Sequence, residues 1–278
     1  MDRPIVDGLT QLIGIAGHPI AQVLTPAIMS GLCRRNGVNA LCVPLHVEPA
    51  GLAALLGGLR GMHNLLGVIA TVPHKQAAAA LADTQLPRAR QARAANVLRL
   101  GPEGWQADML DGVGFIAALR AADHEPRGAR ALVAGAGGVA TAICFALAEA
   151  GAAEIALFEA DAARADDLAA RLRAEGANAR VASPDPAGYG LVVNATPLGM
   201  APDDPFSIDP ARIDPGTIVA DVVSKPAVTR FLTAAQARGC PILSGARLTA
   251  HQMAAMAKFY SFPDGDWSPA AIDALGMT

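Results

Sequence analysis

Apolar positions along this chain gather in short runs bounded by glycine, proline or polar clusters. Between many of them lies a longer segment with its apolar residues three or four apart. The runs read as strands and the spaced segments as helices. Gln11–Gly17 (QLIGIAG) is the first predicted strand, followed by a loop at Gly17-His18-Pro19-Ile20. Pro26 stands where a helix over 27–35 can begin. A strand over 41–47, a helix over 50–59 closed by Gly61, and a strand over 65–72 follow. Lys75–Leu81 is helical in pattern, and 96–100 with 105–108 form a hairpin around 101–104. Alternation of strands with helices is the signature of βαβ units. A helix over 111–122 then leads to Glu125-Pro126-Arg127-Gly128, which has the composition of a hinge.

In the second half, a strand opening at Leu132-Val133 runs into Gly135, Gly137 and Ala140, the spacing G-x-G-x-x-A, and then into a helix without proline. That order suits a dinucleotide. The first glycine permits a tight turn, the second lets backbone approach a pyrophosphate, and the small third residue lets helix pack on strand. Gly135, Ala136, Gly137, Gly138 and Val139 are the candidate phosphate contacts. Strands follow at 154–158, 181–183, 191–195, 218–223 and 241–243, with helices at 162–175, 228–238, 248–260 and 268–275. Residues 201–205 are rich in proline and aspartate and read as a surface loop. Glu159 ends the strand after the glycines, where a carboxylate grips the adenosine ribose, and Asp161 stands two residues on. Either carboxylate would face the extra phosphate of NADP, and Arg164 is expected on the exposed helix face, so NAD is expected over NADP. Helix capping is the plainer role for Asp161.

Composition narrows the classes. The chain has 278 residues, 52% of them hydrophobic and 17% charged, enough for two packed domains and unlike a disordered chain. A formal charge of −3 gives no general attraction to nucleic acid or to an anionic membrane. Cys33, Cys42, Cys144 and Cys240 lie far apart with no C-x-x-C, so buried free thiols are expected and no metal site. No apolar run is long enough to span a membrane, and the N-terminus lacks a signal-peptide pattern, so a soluble, cytoplasmic protein is expected. The expected partner is a small-molecule substrate. Monomer and homodimer are equally compatible with the sequence.

Several further stretches resemble the shikimate/quinate dehydrogenase family: G-H-P-I-A (Gly17 to Ala21) with Thr25-Pro26, and T-V-P-H-K (Thr71 to Lys75). A-N-V-L (Ala95 to Leu98), D-x-x-D-G-V-G (Asp108 to Gly114) and G-A-G-G-V-A (Gly135 to Ala140) continue it. N-A-T-P-L-G-M (Asn194 to Met200), D-V-V-x-x-P-x-x-T (Asp221 to Thr229) and Gln252 complete it in the family's order. The resemblance implies an α/β protein of two domains. A Rossmann-type dinucleotide-binding domain, here 111–244, is inserted into a discontinuous α/β substrate-binding domain, here 1–110 and 245–278, with the active site in the cleft between them. It places Lys75 and Asp111 beside the reacting hydroxyl, where a lysine can exchange the proton that remains when hydride leaves a secondary alcohol. Thr71, Asn96 and Gln252 match family substrate contacts. Asn194, Thr196, Pro197, Met200 and Val222 match the segments lying along the cofactor.

The chain also departs from the family. The serine pair that binds a substrate carboxylate reads Val23-Leu24-Thr25, so Thr25 keeps a hydroxyl and Val23 has none. Ile69 replaces an asparagine, Ser224 a tyrosine, and Met109-Leu110 an Asn-Thr pair. Each hydrogen bond to a charged group contributes roughly 1.5–3 kcal/mol, so the loss of two weakens a carboxylate ligand by on the order of 10²–10⁴-fold. The expectation is an NAD-dependent dehydrogenase acting on a secondary alcohol of a small cyclic polyhydroxy compound other than shikimate. His18, Gln22 and His74 are candidates for a replacement polar contact. Two other readings stand beside it: a genuine shikimate or quinate dehydrogenase, and a protein that binds NAD and catalyses nothing.

Overall fold

A computed structural model describes residues 6–276. The chain divides into two compact units, one formed by residues up to Leu110 and from Met253 onward, the other by Asp111–Gln252.

The first unit is built on β1 (Gln11–Gly17), α1 (Thr25–Arg35), β2 (Ala40–His46), α2 (Leu52–Leu59), β3 (Leu65–Ala70) and α3 (Lys75–Leu81). It continues through β4 (Thr84–Gln85), α4 (Pro87–Ala92), β5 (Val97–Gly101) and β6 (Gly104–Asp108). Its sheet runs in the order β2-β1-β3-β5-β6-β4. β1 lies parallel to both β2 and β3, and Ile13, Ile15 and Ala16 are almost wholly buried. Burial on both faces is why this strand reads as a continuous apolar run. The hairpin expected around 101–104 is present as β5–β6 and joins β3 antiparallel, so the sheet is mixed. β4 and α4 were not expected from the sequence.

The second unit comprises α5 (Asp111–Ala121), β7 (Arg130–Ala134), α6 (Gly138–Glu149), β8 (Glu154–Phe158), α7 (Ala162–Ala174) and β9 (Ala179–Val181). It continues through β10 (Leu191–Asn194), β11 (Ile218–Asp221), α8 (Arg230–Ala237) and β12 (Ile242–Leu243) to the first half of α9 (Gly245–Phe259). The short α10 (Pro269–Asp273) belongs to the first unit. The second sheet is parallel throughout in the order β12-β11-β10-β7-β8-β9. Buried apolar clusters lie on both of its faces. Val133, Ile143, Leu157 and Leu168 share one, while Leu132, Val192, Val219 and Phe231 share the other.

Two expected boundaries move. The division falls inside α9, between Gln252 and Met253, and not at 244/245. The reason is close packing in the second unit: a Cβ on Gly114 of α5 would come 2.2 Å from Gln252 Cγ and 2.9 Å from the Leu248 carbonyl. A Cβ on Gly112 would lie 2.4 Å from the Ala142 carbonyl of α6. The two glycines of D-G-V-G therefore let α5 lie against α6 and α9 at once. The stretch Glu125–Gly128, read as a hinge, is a turn within the second unit, where Gly128 N–H donates to the Gly151 carbonyl. Among the described residues no helix is long and apolar enough to cross a membrane.

Candidate active site

In the first unit, the chemistry-bearing residues collect at the carboxyl ends of β1, β2 and β3. Short backbone hydrogen bonds stitch these ends together. Thr71 N–H donates to the Ala16 carbonyl at 3.0 Å, His18 N–H to Val72 at 3.0 Å, and Val47 N–H to Gly17 at 3.2 Å. His74, almost fully buried, closes the turn after β3 through its N–H to Thr71 at 2.7 Å, while its ring Nε2 lies 2.8 Å from the Val47 carbonyl. That contact takes His74 out of the candidates for a substrate group. Lys75 is half-buried, opens α3 directly after this turn, and its carbonyl accepts from Ala95 N–H at 2.8 Å. Asn96 is thereby fixed next to the same turn. Its N–H donates to Asp108, its carbonyl accepts from Ala70, and its Oδ1 accepts from Leu110 N–H at 2.8 Å.

Thr25, buried, begins α1, with half-buried Val23 two residues before it. Leu24, the residue at the helix N-cap, makes no side-chain capping bond and is 40% exposed. Gln22 folds back to donate to the Pro19 carbonyl at 2.9 Å. Asp108, fully buried, accepts from both Arg88 Nε and Arg88 Nη2 and from Met109 N–H. The pair with Arg88 had no signal in the sequence, because α4 itself was not expected.

In the second unit, Asp111 begins α5 and receives a hydrogen bond from Gln252 Nε2 at 2.8 Å; both side chains are buried. The glycine turn follows β7. Gly135 has φ +109°, which an L side chain rarely adopts, and a Cβ there would press on the Ala195 carbonyl at 3.0 Å. Space over Gly137 is open except for Arg164 Nη2 at 3.9 Å, and α6 starts at Gly138 with no side-chain cap on its first N–H groups. Sheet order reverses between β7 and β10, whose ends Ala134 and Asn194 are register partners, so Gly135 and Thr196 flank the switch point. An open turn, uncapped amides and a switch-point crevice fit a dinucleotide pyrophosphate.

Glu159 lies at this turn: its Oε2 accepts from Ala136 N–H at 2.9 Å. Asp161 has a different task, since its Oδ1 accepts from Ala163 and Arg164 N–H as the N-cap of α7. Of the two carboxylates, only Glu159 is bonded to the glycine turn. Asn194 is also differently used. Buried, it accepts from the Thr196 and Ser207 hydroxyls at 2.7 and 2.9 Å and donates to the Leu198 carbonyl and to Asp221 Oδ1. Asn194 and Thr196 hold the loop that presents Pro197 and Met200, both exposed; half-buried Val222 lies beside them, with its N–H on the Asn194 carbonyl. Burial pushes the Asp221 carboxyl up from its ordinary range, and hydrogen bonds from Thr229, Val223 and Asn194 draw it back. Asp204 is held below the carboxylate range by the N–H groups of Ala201 and Gly199, which closes the far side of that loop.

Comparison with known proteins identifies the family and the fold. A family model for the shikimate dehydrogenase substrate binding domain matches residues 15–98. Shikimate dehydrogenase (NADP(+)) of Acidiphilium cryptum (strain JF-5) is 38% identical over 248 residues, which cover 89% of this chain and 89% of that protein. The ligand-free 5-ketofructose reductase of Gluconobacter sp. strain CHM43 superposes with a TM-score of 0.81 at 28% identity, over 96% of this chain and 99% of that one. Shikimate 5-dehydrogenase of Listeria monocytogenes, solved with shikimate and NAD, gives a TM-score of 0.85 at 27% identity, over 98% and 96%.

The expected preference for NAD over NADP does not stand. Relatives from Acidiphilium cryptum, Maricaulis maris and Rubrobacter xylanophilus are all named for NADP(+). Arg164 is exposed on α7, as expected, and it also reaches the glycine turn. Its Nη2 lies 4.0 Å from Glu159 and beside Gly137, so a cation offsets the carboxylate at the glycine turn. With more than a third of its positions shared across most of the length of both chains, and with the two sheets just described, the chain belongs to the shikimate dehydrogenase family of oxidoreductases.

Proposed function

We propose that the protein is an NADP(H)-linked oxidoreductase that interconverts a secondary alcohol and a ketone on a small polyhydroxy compound lacking a carboxylate. The observation that carries this reading is the start of α1. Val23 and Leu24 supply no hydroxyl there, and Leu24 leaves the helix N-terminus without a side-chain cap. The likeness to a 5-ketofructose reductase, whose named substrate is a neutral keto sugar, supports it.

In this reading the first unit, residues up to Leu110 and from Met253, holds the substrate, and residues 111–252 hold the dinucleotide. Lys75 exchanges the hydroxyl proton, Asp111 orients that hydroxyl, and Thr71, Asn96 and Gln252 hold the substrate's other groups. Val23 and Thr25 line the end where the family places its carboxylate grip. Backbone amides of Gly135–Val139 take the pyrophosphate, Glu159 the ribose hydroxyl, and Arg164 the added phosphate of NADP. Pro197, Met200 and Val222 border the nicotinamide. The bound cofactor supplies or accepts the hydride.

A second reading, shikimate itself as substrate, is favoured by the names of the relatives. Steady-state assays with NADPH and 5-ketofructose, and with NADP+ and shikimate or quinate, separate the two. The proposed function expects a higher kcat/KM for the keto sugar. A higher kcat/KM for shikimate overturns it.

A further inference from the structure

His18, one of the candidates for a replacement polar contact, forms a stacked imidazole pair with His46 at the carboxyl edge of the first sheet. His46 Nε2 lies 3.0 Å from His18 Nδ1, and the ring centroids are 5.0 Å apart at 22°. The residues are 28 positions apart in sequence, but β1 and β2 run parallel in a register that pairs Gly17 with His46. β1 is flanked by β2 on one side and β3 on the other, and ligands of parallel α/β sheets bind outside such strand ends. The His18 backbone is bonded to Val72, between Thr71 and Lys75, so the pair shares the rim that carries the reacting residues of this unit. Both side chains are exposed. The other polar side chains weighed for this rim are already engaged, Gln22 with Pro19 and His74 with Val47.

From this geometry we infer that the His18–His46 pair is a specificity determinant that hydrogen-bonds two adjacent hydroxyls of the substrate. This rests on the proposed polyhydroxy substrate. A neutral imidazole has one donor and one acceptor nitrogen. When the two rings share a hydrogen bond, one inner nitrogen donates and the other accepts. The outer nitrogens, His46 Nδ1 and His18 Nε2, are then one acceptor and one donor, whichever ring holds the inner proton. A vicinal diol, which both donates and accepts, satisfies both. A carboxylate, which only accepts, satisfies one and is opposed by the lone pair of the other. The pair therefore selects for hydroxyls over a carboxylate on this rim.

The test uses the full chain carrying His18→Ala, His46→Ala or His46→Gln. 5-Ketofructose with NADPH and shikimate with NADP+ are the probes. Loss of these contacts is expected to raise KM for 5-ketofructose about tenfold in either alanine variant. kcat, KM for NADPH and melting temperature stay near wild type, and His46→Gln recovers part of the loss. An unchanged KM in both alanine variants overturns the inference, and leaves the proposed function standing if the wild type still prefers the keto sugar. If the wild type prefers shikimate, the proposed function falls while the pair remains testable, because shikimate also carries adjacent hydroxyls. A rise in its KM then supports the contact, and no change removes it.

Discussion

Asn96 Oδ1 accepts a hydrogen bond from the backbone N–H of Leu110 at 2.8 Å, and both residues are buried. Leu110 immediately precedes Asp111, so a side chain at the start of the β5–β6 hairpin fixes the backbone from which the carboxylate of α5 departs. In Asn96→Ala that buried N–H loses its partner, which costs about 1–3 kcal/mol. A lower urea midpoint, with a slope near wild type, is the expected result. kcat/KM should fall by more than the same loss of stability produces at a distant site, as a matched core substitution such as Leu147→Ala will show.

In the proposed reaction Lys75 exchanges the proton and Asp111 orients the hydroxyl, while Gln252 holds Asp111 through its bond at 2.8 Å. General acid–base groups contribute about 10²–10⁴-fold. Lys75→Ala is expected to lower kcat by a factor in that range while KM for NADPH holds. Gln252→Ala should produce a smaller loss, since it removes the orientation of the carboxylate and leaves the carboxylate itself. Stopped-flow turnover with saturating NADPH measures both. Wild-type kcat in Lys75→Ala would remove the assigned role.

Arg164 beside Glu159 makes a cofactor prediction. A charge-assisted hydrogen bond to the added phosphate contributes roughly 1.5–3 kcal/mol, about ten- to a hundredfold in affinity. Arg164→Ala should raise the dissociation constant of NADPH by about that factor and leave that of NADH close to wild type, as titration of nicotinamide fluorescence will show. Equal weakening of both cofactors would place Arg164 outside the phosphate contact.

Thr229 caps α8 and also donates its hydroxyl to Asp221 Oδ2 at 2.7 Å, inside the network that orders Asn194 and its loop. Thr229→Val removes the donor and the cap together. Stability should fall by about 1.5–3 kcal/mol at pH 7, where the carboxylate is hardest to bury uncompensated. The deficit should shrink on acidification, because a protonated Asp221 needs less compensation. Chemical denaturation of wild type and variant at two pH values gives the comparison.

Burial pushes the Cys33 and Cys42 thiols up to about 12, and all four cysteines are buried. A thiol in the unfolded chain titrates near 8.5, so the folded state retains protons that the unfolded state releases above that pH. This stability is complete below about 8.5 and is lost as pH rises toward about 12, at about 1.4 kcal/mol per pH unit for each such thiol. The denaturant midpoint should fall between pH 8 and pH 10. A disulfide reagent at pH 8 should label no cysteine of the native protein and all four after unfolding in guanidinium.

Much of the scaffold around the candidate site was legible because its signals are local. Lys75–Leu81 and Glu154–Phe158 have the bounds that periodicity predicts, and the glycine turn before α6 is written in adjacent residues. What escaped depends on partners distant in sequence. β4 is two residues that become a strand only by pairing Thr84 with Gln106 and Gln85 with Ala107. α4 buries only Ala89 and Ala92 and so lacks an apolar stripe to announce it, and with it went the Arg88–Asp108 pair. The internal bonds of Asn194 were not legible either, since they depend on Asp221 and Ser207, which are distant in sequence. Arg164 is exposed and α7 starts after its Asp161 cap, both as the sequence suggests; what periodicity does not say is that the guanidinium also comes within 4.0 Å of Glu159, a contact at the turn after β7.

Asp111 is the first residue of the inserted unit and Gln252 its last, and the two are in direct contact. The chain thus departs and returns through neighbouring points. Loop-closure entropy grows only with the logarithm of length, and a tethered pair of ends removes most even of that. For the polypeptide on either side, the whole intervening unit is equivalent to a hairpin turn. The consequence is evolutionary modularity: a unit clasped at its own two ends can be exchanged, lengthened or lost without re-solving how its host closes upon itself.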